Sequence, residues 1–284
     1  MAGVKRGRLI KHLALDYGAL IPFIIFALFP IYFMFLTSFR VDAELYDLES
    51  IPFIFNQPPT LGHYTYIFTK TKFPYWITNS IIVSVLSTGI SIPISILAAY
   101  SVARLRFKGA ATFGIAIFVT YLVPPTLLFV PLTRIMYKLN LADTIWSLVI
   151  TYPTFLIPFA TWLLMGYFRT IPREIEECAM VDGCSRMGVL LRIVLPVSIP
   201  GIVCAVLFAF TLAWNEFIYA YSFISSSTQK VVAPGVVTEL IRGDVFHWGE
   251  IMAGAFIGAL PIVIFYVFFL DYYVSGMTAG AVKG

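Results

Sequence analysis

Charged residues are scarce in this chain, and their scarcity sets its class. Asp, Glu, Lys and Arg make up only 12% of its 284 residues, whereas a soluble globular domain carries roughly 25%. Hydrophobic residues make up 60%, which is more apolar surface than a soluble protein of this size can hide. An ordinary soluble domain is therefore excluded, and lipid is the expected solvent.

Motifs for catalysis and metal binding are also absent. No G-x-x-x-x-G-K-[S/T] sequence occurs, so the chain has no phosphate-cradling loop for ATP. Nothing in the sequence arranges a Ser-His-Asp or Cys-His catalytic group. The few cysteines and histidines show no paired zinc-ligand spacing: Cys178, Cys184, Cys204, His12, His63 and His247. We predict no catalytic residue, no metal site and no cofactor bound by this chain.

Six windows of the sequence carry no charged residue. They are Tyr17–Phe39, Phe73–Ala103, Gly109–Thr133, Thr144–Phe168, Ile193–Asn215 and Ile251–Leu270. Each reaches or exceeds the ~20 residues that a helix needs to cross ~30 Å of hydrocarbon. The short alternating segments of a transmembrane β-barrel are missing. The sequence therefore predicts an all-α integral membrane protein with six transmembrane helices.

Lysine and arginine cluster in alternate connections, which predicts the orientation. The clustered residues are Lys5, Arg6, Arg8, Lys11, Arg104, Arg106, Lys108, Arg169, Arg173, Arg186 and Arg192. By the positive-inside rule these connections and both termini are cytoplasmic. The net charge of +4 then reflects topology and not a nucleic-acid partner. The first window is too long for a cleavable signal peptide. The cysteines are expected to be reduced, because this orientation places them at the cytoplasmic side.

The fourth and fifth windows are joined by a polar segment, residues 169–201, whose first half predicts a short helix. Pro172 suits a first helical turn because it lacks an N–H donor. Glu174, Glu176 and Glu177 follow, at the positive end of the helix dipole. Gly183 can adopt the left-handed conformation that ends a helix.

The second half of this segment predicts a second helix. Ser185 is a good N-cap, and an apolar stripe at helical spacing follows it: Met187, Leu190, Leu191 and Val194. Leu195-Pro196 and Pro200-Gly201 then bend the chain into the fifth span. The result is a compact knob suited to a groove on another protein. An amphipathic helix lying on lipid is an equal alternative on physical grounds alone.

Blocks of residues along nearly the whole chain resemble one family. They are Thr37-Ser38-Phe39-Arg40, Pro59-Thr60-Leu61 with Tyr64, Asn79-Ser80, Ala98-Ala99-Tyr100 with Ala103-Arg104, Pro158-Phe159 through Phe168, Ile171-Pro172-Arg173-Glu174, Pro200-Gly201 and Trp214-Asn215-Glu216-Phe217. Their order and spacing are similar to the carbohydrate-importer, MalG-like branch of ABC transporter permeases. The polar segment resembles the cytoplasmic EAA loop of that family. Cys178 and Cys184 stand where the family usually has Ala.

The resemblance implies a type I ABC importer (MetI-like) permease fold in a prokaryotic plasma (inner) membrane. It implies that this chain forms half of a permease heterodimer for a sugar or oligosaccharide. The implied partners are a second permease subunit, a dimeric ABC ATPase that hydrolyses ATP with Mg, and an external solute-binding protein. The residues implied for ATPase coupling are Glu176, Glu177, Cys178, Ala179, Asp182, Gly183, Arg186 and Pro196.

We divide the chain into three parts on these grounds. Residues 1–74 hold the N-terminal tail, the first transmembrane helix and an external loop. Residues 75–273 form the permease core, with the coupling loop at 169–201. Residues 274–284 form a cytoplasmic tail. We expect the Arg40–Pro74 excursion to be ordered and Val236–Ile241 to form a short helix or a re-entrant dip.

Polar and aromatic residues near the spans are candidates for the substrate pathway. They are Asn79, Tyr121, Trp214, Asn215, Glu216 and Tyr219. An ionisable group near hydrocarbon is costly unless it faces a cavity or has a partner, which draws attention to Glu216. In the alternative, Glu216 sits in the headgroup region with a local partner, and the aromatic residues belong to the core or the interfacial belt.

Two other classes of function remain open from the residues. A secondary transporter would need a coupling-ion site or an inverted repeat, and no repeat is evident. A membrane scaffold would bind partners without moving a solute. Within the ABC importers, amino-acid, phosphate and polyamine permeases share a similar loop, so the sugar class rests on the wider resemblance.

Overall fold

The computed structural model describes the backbone of residues 2–105, 107–242 and 245–278, and the side chains of residues 17–105, 107–241 and 246–272. Arg106, the N-terminal basic side chains and residues 279–284 lie outside these ranges. The helices are α1 (Ala2–Phe39), α2 (Asp42–Leu45), α3 (Gly62–Lys70), α4 (Phe73–Arg104), α5 (Ala110–Leu122), α6 (Pro125–Lys138), α7 (Ile145–Thr151), α8 (Pro153–Thr170), α9 (Arg173–Val181), α10 (Arg186–Val189), α11 (Leu195–Val197), α12 (Ile199–Trp214), α13 (Ile218–Phe223), α14 (Val232–Glu239) and α15 (Trp248–Thr278).

The described chain is helical almost throughout, which confirms the predicted all-α class. A π-helical turn, Leu190–Val194, joins α10 to α11. The β-structure in the described residues is a small antiparallel hairpin of β1 (Ile241–Arg242) and β2 (Val245–Phe246). Helix α14 covers most of the segment for which the sequence predicts a short helix or a re-entrant dip, and the hairpin follows it.

Four helical stretches within the described residues are long and apolar enough to cross a membrane. They are Tyr17–Phe39, Phe73–Arg104, Ile145–Thr170 and Trp248–Tyr272. Two bent pairs supply the rest of the predicted six spans if each pair crosses once: α5 with α6, bent by 88°, and α10–α11 with α12, bent by 79°.

The window Gly109–Thr133, predicted as the third span, is broken by the bend between α5 and α6. Val123 and Pro124 take extended ψ angles of 118° and 128° between the two helices. A residue before proline is sterically pushed out of the helical region, and here Pro124 and Pro125 apply that constraint twice. The bend into α12 falls at Ser198, between Pro196 and Pro200, as predicted.

The chain divides into two compact units, which we describe separately. The first comprises residues 1–71 with Thr238–Gly258. Its loop after α1 is ordered by a buried ion pair, in which Arg40 Nε lies 2.7 Å from Glu44 Oε1. The same carboxylate oxygen accepts hydrogen bonds from the backbone N–H and the side-chain amide of Asn56, both at 2.8 Å.

The second unit comprises Lys72–Val237 with residues 259–284, and its core is a three-helix layer. Helix α4 packs most extensively on α8, and α12 packs on both of them. The fully buried side chains at this centre are large and apolar: Leu148, Leu156, Leu164, Phe168 and Leu207. Gly201 on α12 permits close packing, because a Cβ there would lie 2.4 Å from the Tyr167 ring.

A stripe of serines lies on the buried face of α4. Its members are no more than 3% exposed: Ser80, Ser84, Ser87, Ser91 and Ser95. Small side chains let helix backbones approach closely where lipid provides no hydrophobic drive between helices. Ser95 also donates a hydrogen bond to the Ile157 carbonyl at 3.2 Å. At the other end of the stripe, Ser80 accepts a hydrogen bond from the Val232 N–H at 2.8 Å. The stripe therefore places small side chains where α4 meets its neighbouring helices.

We expect Ser87→Leu to destabilise the chain and Ser87→Ala to leave its stability nearly unchanged. Ser87 is fully buried, and its hydroxyl has no hydrogen-bond partner among the described residues. Leucine overfills a packed site at a cost of roughly 1–3 kcal/mol, whereas alanine removes only the hydroxyl. Thermal unfolding of the purified chain in detergent measures both variants. Equal melting temperatures for Leu and Ala would contradict close packing at this serine.

Candidate coupling loop and translocation surface

The first helix of the polar loop begins where the sequence predicts it. Pro172 is the residue before α9, and Glu174 and Glu176 lie in its first turn. Carboxylates at this end of a helix offset the positive end of its dipole. The helix is nine residues long, so it projects about 14 Å at 1.5 Å per residue.

The helix ends in a Schellman turn at Gly183, as the sequence predicts. Gly183 has φ of 88°, in the left-handed region that costs glycine little. The Cys184 N–H donates to the Ala179 carbonyl at 3.0 Å, and the Gly183 N–H donates to the Met180 carbonyl at 3.1 Å. These two bonds satisfy carbonyls that a helix end otherwise leaves unpaired.

The second helix also begins as predicted, but its apolar stripe divides. Ser185 Oγ accepts a hydrogen bond from the Gly188 N–H at 3.2 Å. Leu190 and Val194 are buried, whereas Met187 and Leu191 are more than half exposed. The prediction of a single stripe facing one way is therefore wrong. Met187 and Leu191 form an apolar surface beside the turn, because residues four apart share a helix face.

Two adjacent glutamates of α9 differ in burial. Glu176 is buried, and its Oε1 accepts a hydrogen bond from Arg104 Nε at the end of α4. The Tyr100 hydroxyl lies 3.3 Å from Glu176 Oε2. Glu177 is exposed.

The exposed part of the loop is the surface that can meet another protein. Glu177, Cys178, Asp182 and Gly183 are exposed, and Ala179 is buried under them. Pro196 is exposed on α11. Arg186 lines a polar pocket of about 170 Å³ with Arg104, Arg173, Glu176, Glu177 and Met180. The residues implied for coupling therefore divide into an exposed tip and a buried base, and their coupling role stays a prediction.

Glu216, a predicted pathway residue, accepts three hydrogen bonds from within the protein. Its Oε1 accepts from the Tyr219 N–H at 2.9 Å, and its Oε2 accepts from the Ala220 N–H at 3.1 Å. The fully buried Tyr152 hydroxyl donates to the same Oε2 at 3.1 Å. The carboxylate thus caps the start of α13. This arrangement supports the alternative in which a local partner satisfies Glu216.

Two predicted pathway aromatics, Tyr121 and Tyr219, line the same cavity. It has a volume of about 400 Å³ and lies beside the break between α5 and α6. Tyr121 is 42% exposed, and its ring centroid lies 5.5 Å from that of Phe159. The Tyr219 hydroxyl donates to the Pro125 carbonyl at 2.8 Å. The cavity therefore combines aromatic faces with few polar groups.

The other predicted pathway residues lie elsewhere in the second unit. The Asn79 side-chain amide donates to the carbonyls of Thr228 and Lys230, each at 2.9 Å, and so holds the connection before α14. Trp214 is 5% exposed and stacks on Phe210. Asn215 is exposed at the end of α12. A direct role for these three in transport stays a prediction.

Asp143 holds the connection that follows α13. Its carboxylate accepts hydrogen bonds from the backbone N–H groups of Ser225, at 2.8 Å, and Ser226, at 2.7 Å. The Ser226 hydroxyl also donates to it. Hydrogen bonds from the Ser226 hydroxyl and amide hold the pKa of Asp143 below its usual range. The carboxylate therefore stays charged and keeps the loop fixed at neutral pH.

In the first unit, His63 meets two carboxylates that are distant in sequence. Its Nδ1 lies 3.4 Å from Glu250 Oε2, and its Nε2 lies 3.9 Å from Asp42 Oδ1. Nε2 also lies 2.7 Å from the Arg40 carbonyl, to which it donates. The adjacent Glu250 carboxylate raises the pKa of His63 despite burial. The geometry is that of an ion-pair cluster, and no described contact requires a metal.

The predicted site omitted Arg104, Tyr100 and Tyr152. The sequence-based predictions use Arg104 only as a cytoplasmic positive charge and as part of a block that resembles the family. The signal available for it was its spacing from Tyr100, because residues four apart on a helix point the same way. No comparable signal links Tyr152 to Glu216, since the two are 64 residues apart.

The apolar helices and the exposed polar knob together define a multi-pass membrane protein with a polar loop between two of its apolar helices. The chain belongs to the family of binding-protein-dependent transport system inner membrane components, whose model matches residues 91–279. In this family ATP hydrolysis resides in a separate subunit, so this chain is the inner-membrane permease and not the ATPase.

Individual relatives match over nearly their whole length. The chain is 38% identical to the inner membrane ABC transporter permease protein YcjP of Escherichia coli, over 94% of this chain and 95% of that protein. It is 33% identical to the trehalose/maltose transport system permease protein MalG of Thermococcus litoralis, covering 98% and 99% of the two chains. A crystal structure of a bacterial ABC transporter that imports the polysaccharide alginate superposes with a TM-score of 0.76, at 20% identity, covering 94% and 98%. The last likeness confirms the importer-permease fold.

Proposed function

We propose that this chain forms one half of the pathway through which an ABC importer moves a sugar or oligosaccharide into the cell. A separate ATPase drives the transport by docking on the exposed tip of the loop, at Glu177, Cys178, Asp182 and Gly183. A second permease subunit supplies the other half, and an external binding protein delivers the solute. The observation that carries this proposal is the knob itself: a capped and anchored loop with an exposed polar tip.

The sugar class is supported by the names of relatives and by the chemistry of the cavity. The Thermococcus litoralis relative is named for trehalose and maltose. The cavity lined by Tyr121, Phe159 and Tyr219 presents aromatic faces, and the apolar CH faces of pyranose rings pack well on such surfaces. We assign this cavity to the substrate pathway of this subunit.

Reconstitution of the complex in vesicles tests the proposal against the two alternatives. ATP-dependent sugar uptake that requires the ATPase and the binding protein is the expected result. Uptake that persists without the ATPase would identify a secondary transporter, and tight partner binding without uptake would identify a scaffold. Stimulation of ATP hydrolysis by individual sugars would then identify the substrate.

The proposal requires the loop to be cytoplasmic, which labelling can test. Single cysteines at Lys108 and Arg186, in a background without the native cysteines, should react only with reagents that enter the cytoplasm. Cysteines at Asn56, Asn140 and Ser226 should react with an impermeant reagent from outside. The alternating Lys/Arg bias is the physical reason. An externally labelled Arg186 position would overturn both the topology and the docking role.

A further inference from the structure

We propose that Arg104 is a positioning residue for energy coupling. Its buried pair with Glu176 fixes α9 to the cytoplasmic end of α4, so that a displacement of the loop tip moves that span. The neighbouring Glu177 is exposed and is available to contact the ATPase. This inference rests on the proposed function, in which an ATPase docks on the loop.

The guanidinium of Arg104 contacts the loop at three points. Nε donates to Glu176 Oε1, in the first turn of α9. Nη1 donates to the Ile171 carbonyl at 2.9 Å, and Nη2 donates to the Pro172 carbonyl at 3.4 Å. The planar fork of arginine fixes direction as well as distance. Contacts to the two residues before the helix and to its first turn therefore set both the position and the angle of α9.

Because the pair of Arg104 and Glu176 is buried, it fixes the position of α9 more than it adds to the stability of the fold. The side chains of Arg104 and Glu176 are 3% and 9% exposed. Burying two charges costs several kcal/mol of desolvation each, and their attraction offsets this only when the geometry is good. Tyr100, one turn earlier on α4, lies against the second oxygen of Glu176. A loop that needed only to cover the membrane surface would not need this arrangement.

The anchor and the tip lie at opposite ends of one rigid element. Arg104 holds the start of α9, and the Schellman turn at Gly183 closes its end. Buried Ile171 and Ala179 pack against the core of the second unit. Between them the helix has no break in its hydrogen bonding. A push on the tip is therefore transmitted to α4, the helix that packs most extensively on α8.

The test compares single and double neutral variants in the assembled, reconstituted complex. Arg104→Gln and Glu176→Gln each leave one buried charge without its partner, so both should lower the amount of complex. The double variant Arg104→Gln/Glu176→Gln leaves no unpaired charge and should restore that amount. Because the anchor is still missing, the ATP hydrolysed per sugar imported should stay several-fold above the wild-type ratio.

Arg104→Lys provides a second variant that keeps the charge. It retains the attraction to Glu176 but loses the fork to the two carbonyls, so we expect normal assembly and a smaller rise in ATP per sugar. Lys108→Gln is the matched control, because Lys108 lies just beyond α4 and is exposed. It should leave the ratio unchanged.

The outcome that overturns the proposal is a wild-type ratio of ATP to sugar in the double variant, or in Arg104→Lys if the double variant does not assemble. Hydrogen exchange of the α9 amides gives a readout that needs no transport. Exchange should be faster in Arg104→Gln/Glu176→Gln than in Lys108→Gln. Equal rates would also refute the role of Arg104 in positioning α9. If the wild-type complex imports no sugar, the proposed function fails, while the exchange rates still decide whether Arg104 positions α9.

Discussion

Gly183→Pro is expected to abolish ATP-driven uptake while the chain stays in the membrane. Gly183 has φ of 88°, and proline cannot adopt this angle because its ring holds φ near −65°. The substitution also removes the Gly183 N–H that bonds the Met180 carbonyl. We expect a local cost of roughly 3 kcal/mol or more, enough to displace the tip. Uptake into vesicles that hold the assembled complex measures the loss.

Gly183→Asn is the matched control for this variant. No atom lies within 4 Å of where a Cβ at Gly183 would be, so a side chain meets no steric obstacle there. Asparagine adopts left-handed φ angles more readily than other non-glycine residues, and it should retain most of the uptake. Equal activity of the Pro and Asn variants would show that the turn geometry is not needed for coupling.

Asp182→Lys probes the charge of the same tip without changing its backbone. Asp182 is exposed, so the reversal costs the fold little, and a loss of uptake is expected from the proposed contact with the ATPase. Glu177→Lys should weaken assembly with the ATPase for the same reason. Wild-type coupling in both variants and in Gly183→Pro would refute docking at this tip.

Glu216→Ala should strongly reduce the amount of folded complex. It removes the acceptor for the fully buried Tyr152 hydroxyl and for the N–H groups of Tyr219 and Ala220. A buried donor left without a partner costs roughly 1–3 kcal/mol, and three donors are affected here. The melting temperature and the yield of assembled complex are the measurements.

Two neighbouring substitutions control for this effect. Tyr152→Phe removes one of the three donors and should be milder than Glu216→Ala, and Asn215→Ala, at an exposed position, should leave stability unchanged. An unaltered melting temperature in Glu216→Ala would contradict the capping role. Uptake per assembled complex tests the separate prediction that Glu216 lies on the pathway, and a wild-type value would remove it from that pathway.

The structure also separates residues that the sequence treats alike. Glu176 and Glu177 are adjacent acidic residues in the same helix, and the family resemblance assigns both to ATPase coupling. Only the structure shows that one is bound to Arg104 inside the chain and that the other is exposed. The same holds for Leu190 and Leu191, of which the first is buried and the second exposed.

The sequence by itself determined the class of the protein, its long apolar helices, the bend before α12, the left-handed Gly183 and the Ser185 cap. Each depends on interactions within a few residues: hydrogen bonds along one helix, the fixed φ of proline, the freedom of glycine, and the cost of placing charge in lipid. Such interactions are readable from neighbours in the chain.

Only the tertiary structure decided the partners of buried polar groups. Arg104 meets Glu176 across 72 residues, and Tyr152 meets Glu216 across 64. It also decided the 88° angle at which α5 and α6 meet. Proline excludes the helix locally but does not set the angle of the bend. These features depend on which helices pack together, because a buried charge or hydroxyl must find its partner in whichever neighbour the packing brings within reach.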